Sequence, residues 1–170
     1  FECAAVCHGH SQDVKMVAWH PTKEILVSAS YDDTLRVWAS DDDEWSSASI
    51  LVGHKSTVWA VCFDATGEHM ASCSDDLSVI IWRDEAPGKT VPSYVRAATL
   101  TGHHSRPIYH IDWCHSSGLL VTGAGDDSIR VYEQGEGGWT VAAAKDMAHA
   151  GDVNCVKFQP GGTGLIASAG

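Results

Sequence analysis

The chain has 170 residues, 44% hydrophobic and 19% charged, a globular composition that argues against a disordered chain and sizes it as one ordinary domain. Its 11 Lys and Arg against 22 Asp and Glu leave a formal charge of −11, which excludes the positive field that non-specific nucleic-acid binding needs and makes a basic partner surface the better electrostatic match. No apolar run approaches the roughly 20 residues of a membrane-spanning helix, the start FECAAVCHGH has neither the basic nor the long apolar part of a signal peptide, and six cysteines without a CxxC pair argue against a disulfide scaffold and for a reducing compartment.

From the N-terminus, His10 opens a unit that recurs at His54, His104 and His149, in steps of 44, 50 and 45 residues. Each His is expected to begin a β-strand. Four positions on stands Val14, Val58, Ile108 or Val153, and nine positions on an aromatic, Trp19, Phe63, Trp113 or Phe158, with Val17, Val61, Ile111 or Val156 two residues earlier. One face of a short strand is therefore apolar. A turn rich in Pro, Gly or Ser (HPTKE, DATGE, HSSG, QPGGTG) leads to a second strand ending in SAS, SCS, TGA or SAG. An Asp-rich turn (YDDT, SDDL, GDDS) precedes a third strand, LRVW, VIIW or IRVY, and Phe1, Trp45, Tyr94 and Trp139 are placed at the opening of a fourth.

Four short strands per period, with GH at one end and Trp near the other, are the signature of a β-propeller blade of the WD-repeat type. The second unit has His54, Ser72, Asp76 and Trp82, and the first keeps the same spacing with His10, Ser28, Asp32 and Trp38. In such a blade the indole N–H donates to the hydroxyl, the hydroxyl to one imidazole nitrogen, and the other imidazole N–H to the carboxylate, so each buried polar group has a partner. The third unit has His104, Thr122, Asp126 and Tyr132, a phenol replacing the indole. The fourth has His149 and Ser168 one residue further apart, and the chain ends before its Asp turn. The expected division is an outer strand plus first repeat over 1–38, a second repeat over 39–82, a third over 83–132 with an insertion at 84–93, and an incomplete fourth over 133–170. Residues 1–8 are expected to be an outer strand. The whole reads as an all-β fragment of about three and a half blades, where WD propellers most often have seven.

A His, a Ser and an Asp together invite a hydrolase reading, but a catalytic site occurs once and this trio recurs in each blade, so no catalytic role is expected. Cys114, His115 and His110 lack a second ligand pair and read as packing or surface rather than metal, and no cofactor is expected. The acidic run Asp41, Asp42, Asp43 and Glu44 reads as a solvated loop, and the insertion DEAPGKTVPS as a mobile one. Five positions after each His stand Lys15, Trp59, Tyr109 and Asn154, expected to ring one mouth of the channel, with Tyr31, Asp75 and Gly125 before the network aspartates on the same mouth. Lys15, Tyr31, Trp59, Arg106, Tyr109 and Asn154 are the candidate partner-binding residues, because Trp, Tyr and Arg dominate interface energetics. Packing of Trp59 and Tyr109 between blades is the competing reading.

The stretches HSQDVKMVAWHP, SASYDDTLRVW, GHKSTVWAVCFDATGEHMASCSDDLSVIIWR, HSRPIYHIDWC and DVNCV resemble the WD-repeat proteins of cytosolic iron–sulfur protein assembly along the whole chain. The resemblance implies a non-catalytic scaffold of a targeting complex that helps deliver iron–sulfur clusters to cytosolic and nuclear apoproteins. Its implied partners are a helical-repeat adaptor, a small acidic assembly factor and an iron-only-hydrogenase-like carrier, with no nucleic acid or membrane. The implied location is the cytoplasm, with the nucleus as a further compartment. A generic WD-repeat adaptor, such as a ubiquitin-ligase substrate receptor or chromatin scaffold, is the alternative.

Overall fold

The computed structural model describes residues 2–42, 44–162 and 164–170, and among them every regular element is a strand. β1 (Val14–Trp19), β2 (Ile25–Ser30), β3 (Thr34–Asp41) and β4 (Glu44–Val52) form a first antiparallel sheet in chain order. β5 (Val58–Phe63), β6 (His69–Ser74), β7 (Val79–Asp84) and β8 (Tyr94–Leu100) form a second, and β9 (Ile108–Trp113), β10 (Leu120–Ala124), β11 (Ile129–Gly135) and β12 (Gly138–Lys145) a third. β13 (Cys155–Phe158) and β14 (Ile166–Ala169) pair as a two-stranded sheet. Each connection is a hairpin, which short turns between period-two strands allow.

The sheets stand side by side with their first strands adjoining, β1 on β5, β5 on β9 and β9 on β13. Three apolar cores lie between neighbours. Val27, Val37, Val58, Val61 and Phe63 fill the space between the first and second sheets. Ala60, Cys73, Ile108, Ile111 and Trp113 fill the next, and Val121, Val153, Val156 and Phe158 the last. Polar ties reinforce the packing. Lys157 Nζ meets Asp112 at 2.5 Å while the Phe158 N–H donates to the same carboxylate at 2.8 Å, joining β13 to β9. Between the first and second sheets Gly67, at φ 78°, lies so close under the His20 ring that a Cβ would collide with it, and Tyr94 of the second sheet donates to the Gly67 carbonyl at 2.6 Å. Burial, then the nearby Lys23 charge, holds the His20 imidazole below its usual pKa. The neutral ring accepts the Thr22 and Lys23 N–H groups at 3.2 and 3.1 Å.

Four details depart from the sequence reading. The His residues do not begin strands: β1, β5 and β9 start four residues later, and His10, His54 and His104 occupy the preceding loops with their rings turned into the sheet. Residues 2–8 carry no strand and lie exposed, since no described strand precedes them to supply ladder partners, while Phe1 lies outside the described residues. Asp41, Asp42 and Glu44 of the acidic run are exposed as expected, but Asp41 and Glu44 pair as the end of the β3–β4 hairpin, with Asp42 at φ 48°; Asp43 and Thr163 of the GGTG turn are outside the described residues. The insertion is pinned. The Asp84 carboxylate accepts the Ala86 and Ser93 N–H groups at 2.9 and 2.7 Å, and Lys23 from the first sheet donates to the Pro87 and Lys89 carbonyls at 3.2 and 2.9 Å.

Candidate binding surface

Each four-stranded sheet contains one polar chain that fixes the loop before its first strand. In the first sheet, Trp38 Nε1 donates to Ser28 Oγ at 2.8 Å, Ser28 lies 2.6 Å from His10 Nε2, and His10 Nδ1 lies 2.8 Å from Asp32. In the second, the same steps through Trp82, Ser72, His54 and Asp76 measure 2.9, 2.8 and 3.1 Å. In the third, His104 lies 2.8 Å from Thr122 and 3.1 Å from Asp126. Tyr132 takes the indole's place with its ring 5.4 Å from that of His103, and burial pushes its phenol up to about 12 against the opposing hydrogen bond of Thr122. His149, ahead of the two-stranded sheet, meets Ser168 of β14 at 2.8 Å.

The aspartates do more than receive a His. Asp76 also accepts the Lys55 N–H at 2.8 Å and the Ser78 hydroxyl at 2.5 Å, and Asp32 accepts the Ser11 N–H and the Thr34 hydroxyl at 3.0 and 2.6 Å. Burial alone would raise these carboxyls; the accepted hydrogen bonds win and hold Asp32, Asp76 and Asp126 below the ordinary carboxylate value. His104 moves down as well, chiefly through burial, with Asp126 opposing. A network of this kind ties the loop, the second strand and the third strand of one sheet into a unit, a structural task that needs no substrate.

That unit stands just ahead of the residues expected to ring the mouth. Pairing of β1 with β2 skips Lys15 between Val14 and Met16, pairing of β5 with β6 skips Trp59 between Val58 and Ala60, and pairing of β9 with β10 skips Tyr109 between Ile108 and His110. Each is the extra residue of a β-bulge, which bends the strand and re-aims a side chain. The signal was present in the sequence: the apolar step from Val14 to Val17, Val58 to Val61 and Ile108 to Ile111 is three residues where an unbroken strand requires two.

The bulge side chains form a continuous ladder. Lys15 Nζ lies 4.5 Å from the Tyr31 ring centre and 5.4 Å from that of Trp59. Tyr31 meets Trp59 edge-on at 6.1 Å, and Trp59 meets Tyr109 edge-on at 5.3 Å. Trp59 Nε1 donates to Asp75 at 2.5 Å, so Asp75, read above only as a turn residue on the mouth, orients the central indole. Tyr109 rests on Gly125, where a Cβ would stand 3.1 Å from the ring. Trp59 and Tyr109 are half-buried and Tyr31 is 42% exposed, so the rings are partly packed between sheets and partly presented to solvent. Arg106 and Asn154 join the ladder through Asp152, which also bonds the Tyr109 phenol. Arg106 is paired with Asp152 at 3.4 Å, and Asn154 donates to the Asp152 carbonyl at 3.3 Å. Burial, then the Asp152 charge and hydrogen bond, raises the Tyr109 phenol.

Cys114, His115 and His110 do not converge. The Cys114 thiol faces Ser116 Oγ at 3.3 Å, and His115 Nε2 reaches the Phe63 carbonyl at 3.2 Å. His110 Nδ1 has no hydrogen-bond partner among the described residues. Burial opposes the hydrogen bonds of Ser116 and Ser117, which bring the Cys114 thiol down to about 7. Among the described residues no three His, Cys, Asp or Glu side chains are grouped to hold a metal ion.

The family model described as WD domain, G-beta repeat matches residues 1–39, 45–83 and 95–133. Each match ends in the third strand of a sheet and begins ahead of its first, so a sequence repeat contributes its opening segment to the sheet before it; β4 and β8 lie in the second and third matches yet complete the first and second sheets. The chain is 44% identical over 150 residues to the probable cytosolic iron-sulfur protein assembly protein Ciao1 of Aedes aegypti, covering 79% of this chain and 44% of that protein. It is 42% identical over 124 residues to the corresponding homologue of Ixodes scapularis, covering 72% and 38%. To the probable cytosolic iron-sulfur protein assembly protein 1 of Vanderwaltozyma polyspora it is 36% identical over 223 residues, covering 99% and 64%. The chain thus spans less than half the length of the arthropod relatives. With three repeats matched and every described element a strand of an antiparallel sheet, the chain belongs to the WD40-repeat family and is a WD-repeat β-propeller chain similar to the proteins of cytosolic iron–sulfur protein assembly.

Proposed function

We propose that this chain is part of a non-catalytic scaffold in cytosolic iron–sulfur protein assembly, acting in a targeting complex that helps deliver clusters to cytosolic and nuclear apoproteins. The reading rests on the likeness to the iron–sulfur assembly proteins of Aedes aegypti and Vanderwaltozyma polyspora, and on one observation in the molecule. Three sheets each carry a bulge residue, and Lys15, Trp59 and Tyr109 join with Tyr31 in one ladder. A bulge re-aims a side chain, and semi-exposed aromatics are the anchors that carry affinity in protein interfaces. Arg106 and Asn154 belong to the rim of this surface. The partners it serves are a helical-repeat adaptor, a small acidic assembly factor and an iron-only-hydrogenase-like carrier, met in the cytoplasm and in the nucleus.

The test is partner affinity and thermal stability measured on the same variants of the parent protein. Trp59→Ala with Tyr109→Ala is expected to lower affinity for the assembly partners about thirtyfold, equivalent to about 2 kcal/mol. The more exposed Tyr31→Ala is expected to lose a smaller part with no change in melting temperature. Full partner binding by both variants would sink the reading, and a double variant that melts early while Tyr31→Ala binds normally would assign the rings to packing.

A further inference from the structure

The ladder holds its own cation. Lys15 Nζ is seated against the Tyr31 and Trp59 rings, 4.5 and 5.4 Å from their centres, with Asp13 at 3.6 Å. Trp59 is locked in that pose by its 2.5 Å hydrogen bond to Asp75. An open depression of about 280 Å³, lined by Gln12, Asp13 and Tyr31, adjoins the Tyr31 ring. The other mouth cation, Arg106, is spent on Asp152. Lys15 and Arg106 are therefore both internally paired, and the surface presents the Tyr31 ring beside the largely exposed Asp13 carboxylate in a chain of formal charge −11. Electron-rich ring faces beside carboxylates attract cations.

We propose that Tyr31 and Trp59 form a site for a Lys or Arg side chain on a basic segment of a protein partner, and that Lys15 is its internal occupant when the partner is absent. The inference rests on the reading of this mouth as a contact surface and adds the chemistry of what it contacts. Binding exchanges one cation for another on the same rings, with Asp13 and the adjoining depression accepting the incoming group as Lys15 swings out to solvent. An occupied site lowers apparent affinity in proportion to the fraction of time it is filled, so Lys15 acts as a built-in competitor that sets a threshold.

The sign of one substitution decides the matter. With this chain and a hexa-arginine peptide as probe, followed by calorimetry at fixed ionic strength, Lys15→Ala is expected to tighten binding about three- to tenfold. Lys145→Ala, on exposed β12, removes the same charge and is expected to change affinity by less than about twofold, which separates site occupancy from bulk charge. Tyr31→Leu in the Lys15→Ala background is expected to remove the gain. Equal tightening by Lys15→Ala and Lys145→Ala, or no binding of the peptide, overturns the proposal. So does binding of a hexa-aspartate peptide that Lys15→Ala abolishes, which would make Lys15 the anchor for an acidic partner. If the peptide arm fails while Trp59→Ala with Tyr109→Ala still loses the assembly partners, the contact surface stands and only its cation chemistry falls.

Discussion

β1 and β5 are near copies placed in different surroundings. Each opens a four-stranded sheet, carries a bulge after its first residue, and presents a Val, a Val and an aromatic on one face. In β5 these are Val58, Val61 and Phe63, exposed by 0%, 0% and 5%; in β1 they are Val14, Val17 and Trp19, exposed by 48%, 53% and 62%. The hydrogen-bonded networks of the two sheets are nevertheless alike in every step, from Trp38 to Asp32 and from Trp82 to Asp76. The blade is thus specified within about one repeat length of chain, and the core is specified between neighbouring sheets. Sheet pairing and the polar network need only residues within about one repeat of each other, whereas the roughly 1.5–3 kcal/mol gained by burying each Val or Phe side chain requires a neighbour on that face.

The sharpest way to break this comparison is to empty the same position on both strands. Phe63→Ala removes a ring packed between the first two sheets and is expected to cost about 3–5 kcal/mol in urea unfolding followed by far-UV circular dichroism. Trp19→Ala, which forfeits an edge-on contact with Trp45 at 5.5 Å, is expected to cost no more than about 1.5 kcal/mol. Equal losses would mean that the exposed face of β1 is stabilised by something other than a neighbouring sheet, and would undo the separation of blade from core.

The network tests the other half of the argument. Asp76→Ala leaves His54, the Lys55 N–H and Ser78 without their acceptor and is expected to cost about 2–4 kcal/mol. Asp75→Ala breaks a single bond, that from the Trp59 indole, and is expected to cost about 0.5–1.5 kcal/mol while changing tryptophan fluorescence. If the adjacent aspartates cost the same, the network is not what fixes the blade.

These residues also mark how far a sequence can be read. The offsets from His to Ser, Asp and Trp repeat because each partner lies on the same sheet, so fold and network were legible from spacing alone. The bulges were legible in principle, in the three-residue apolar step, but pass unnoticed when a strand is read with an unbroken period of two. The state of the mouth cations was not legible. Arg106 finds Asp152 across 46 residues, and Lys15 reaches a ring from the neighbouring sheet, contacts that only the stacking of sheets creates. The pinned insertion has the same origin, since Lys23 reaches Lys89 across 66 residues.

The smallest difference between sheets lies in the turn after the network aspartate. Asp33, Leu77 and Asp127 occupy equivalent positions in the first, second and third sheets, with φ of 67°, 66° and 62°, the left-handed region in which a Cβ crowds the following carbonyl. Asp tolerates the left-handed region better than an aliphatic side chain does. The second sheet therefore carries strain that its neighbours lessen, in the turn that sets Asp76 under His54. Leu77→Asn is expected to stabilise the chain by about 0.5–1 kcal/mol in the same urea titration, with Asp33→Leu and Asp127→Leu destabilising by a similar amount. A loss of stability in Leu77→Asn would show that the Leu77 side chain makes a contact worth more than the backbone strain, and the three turns would then differ in packing rather than in conformational cost.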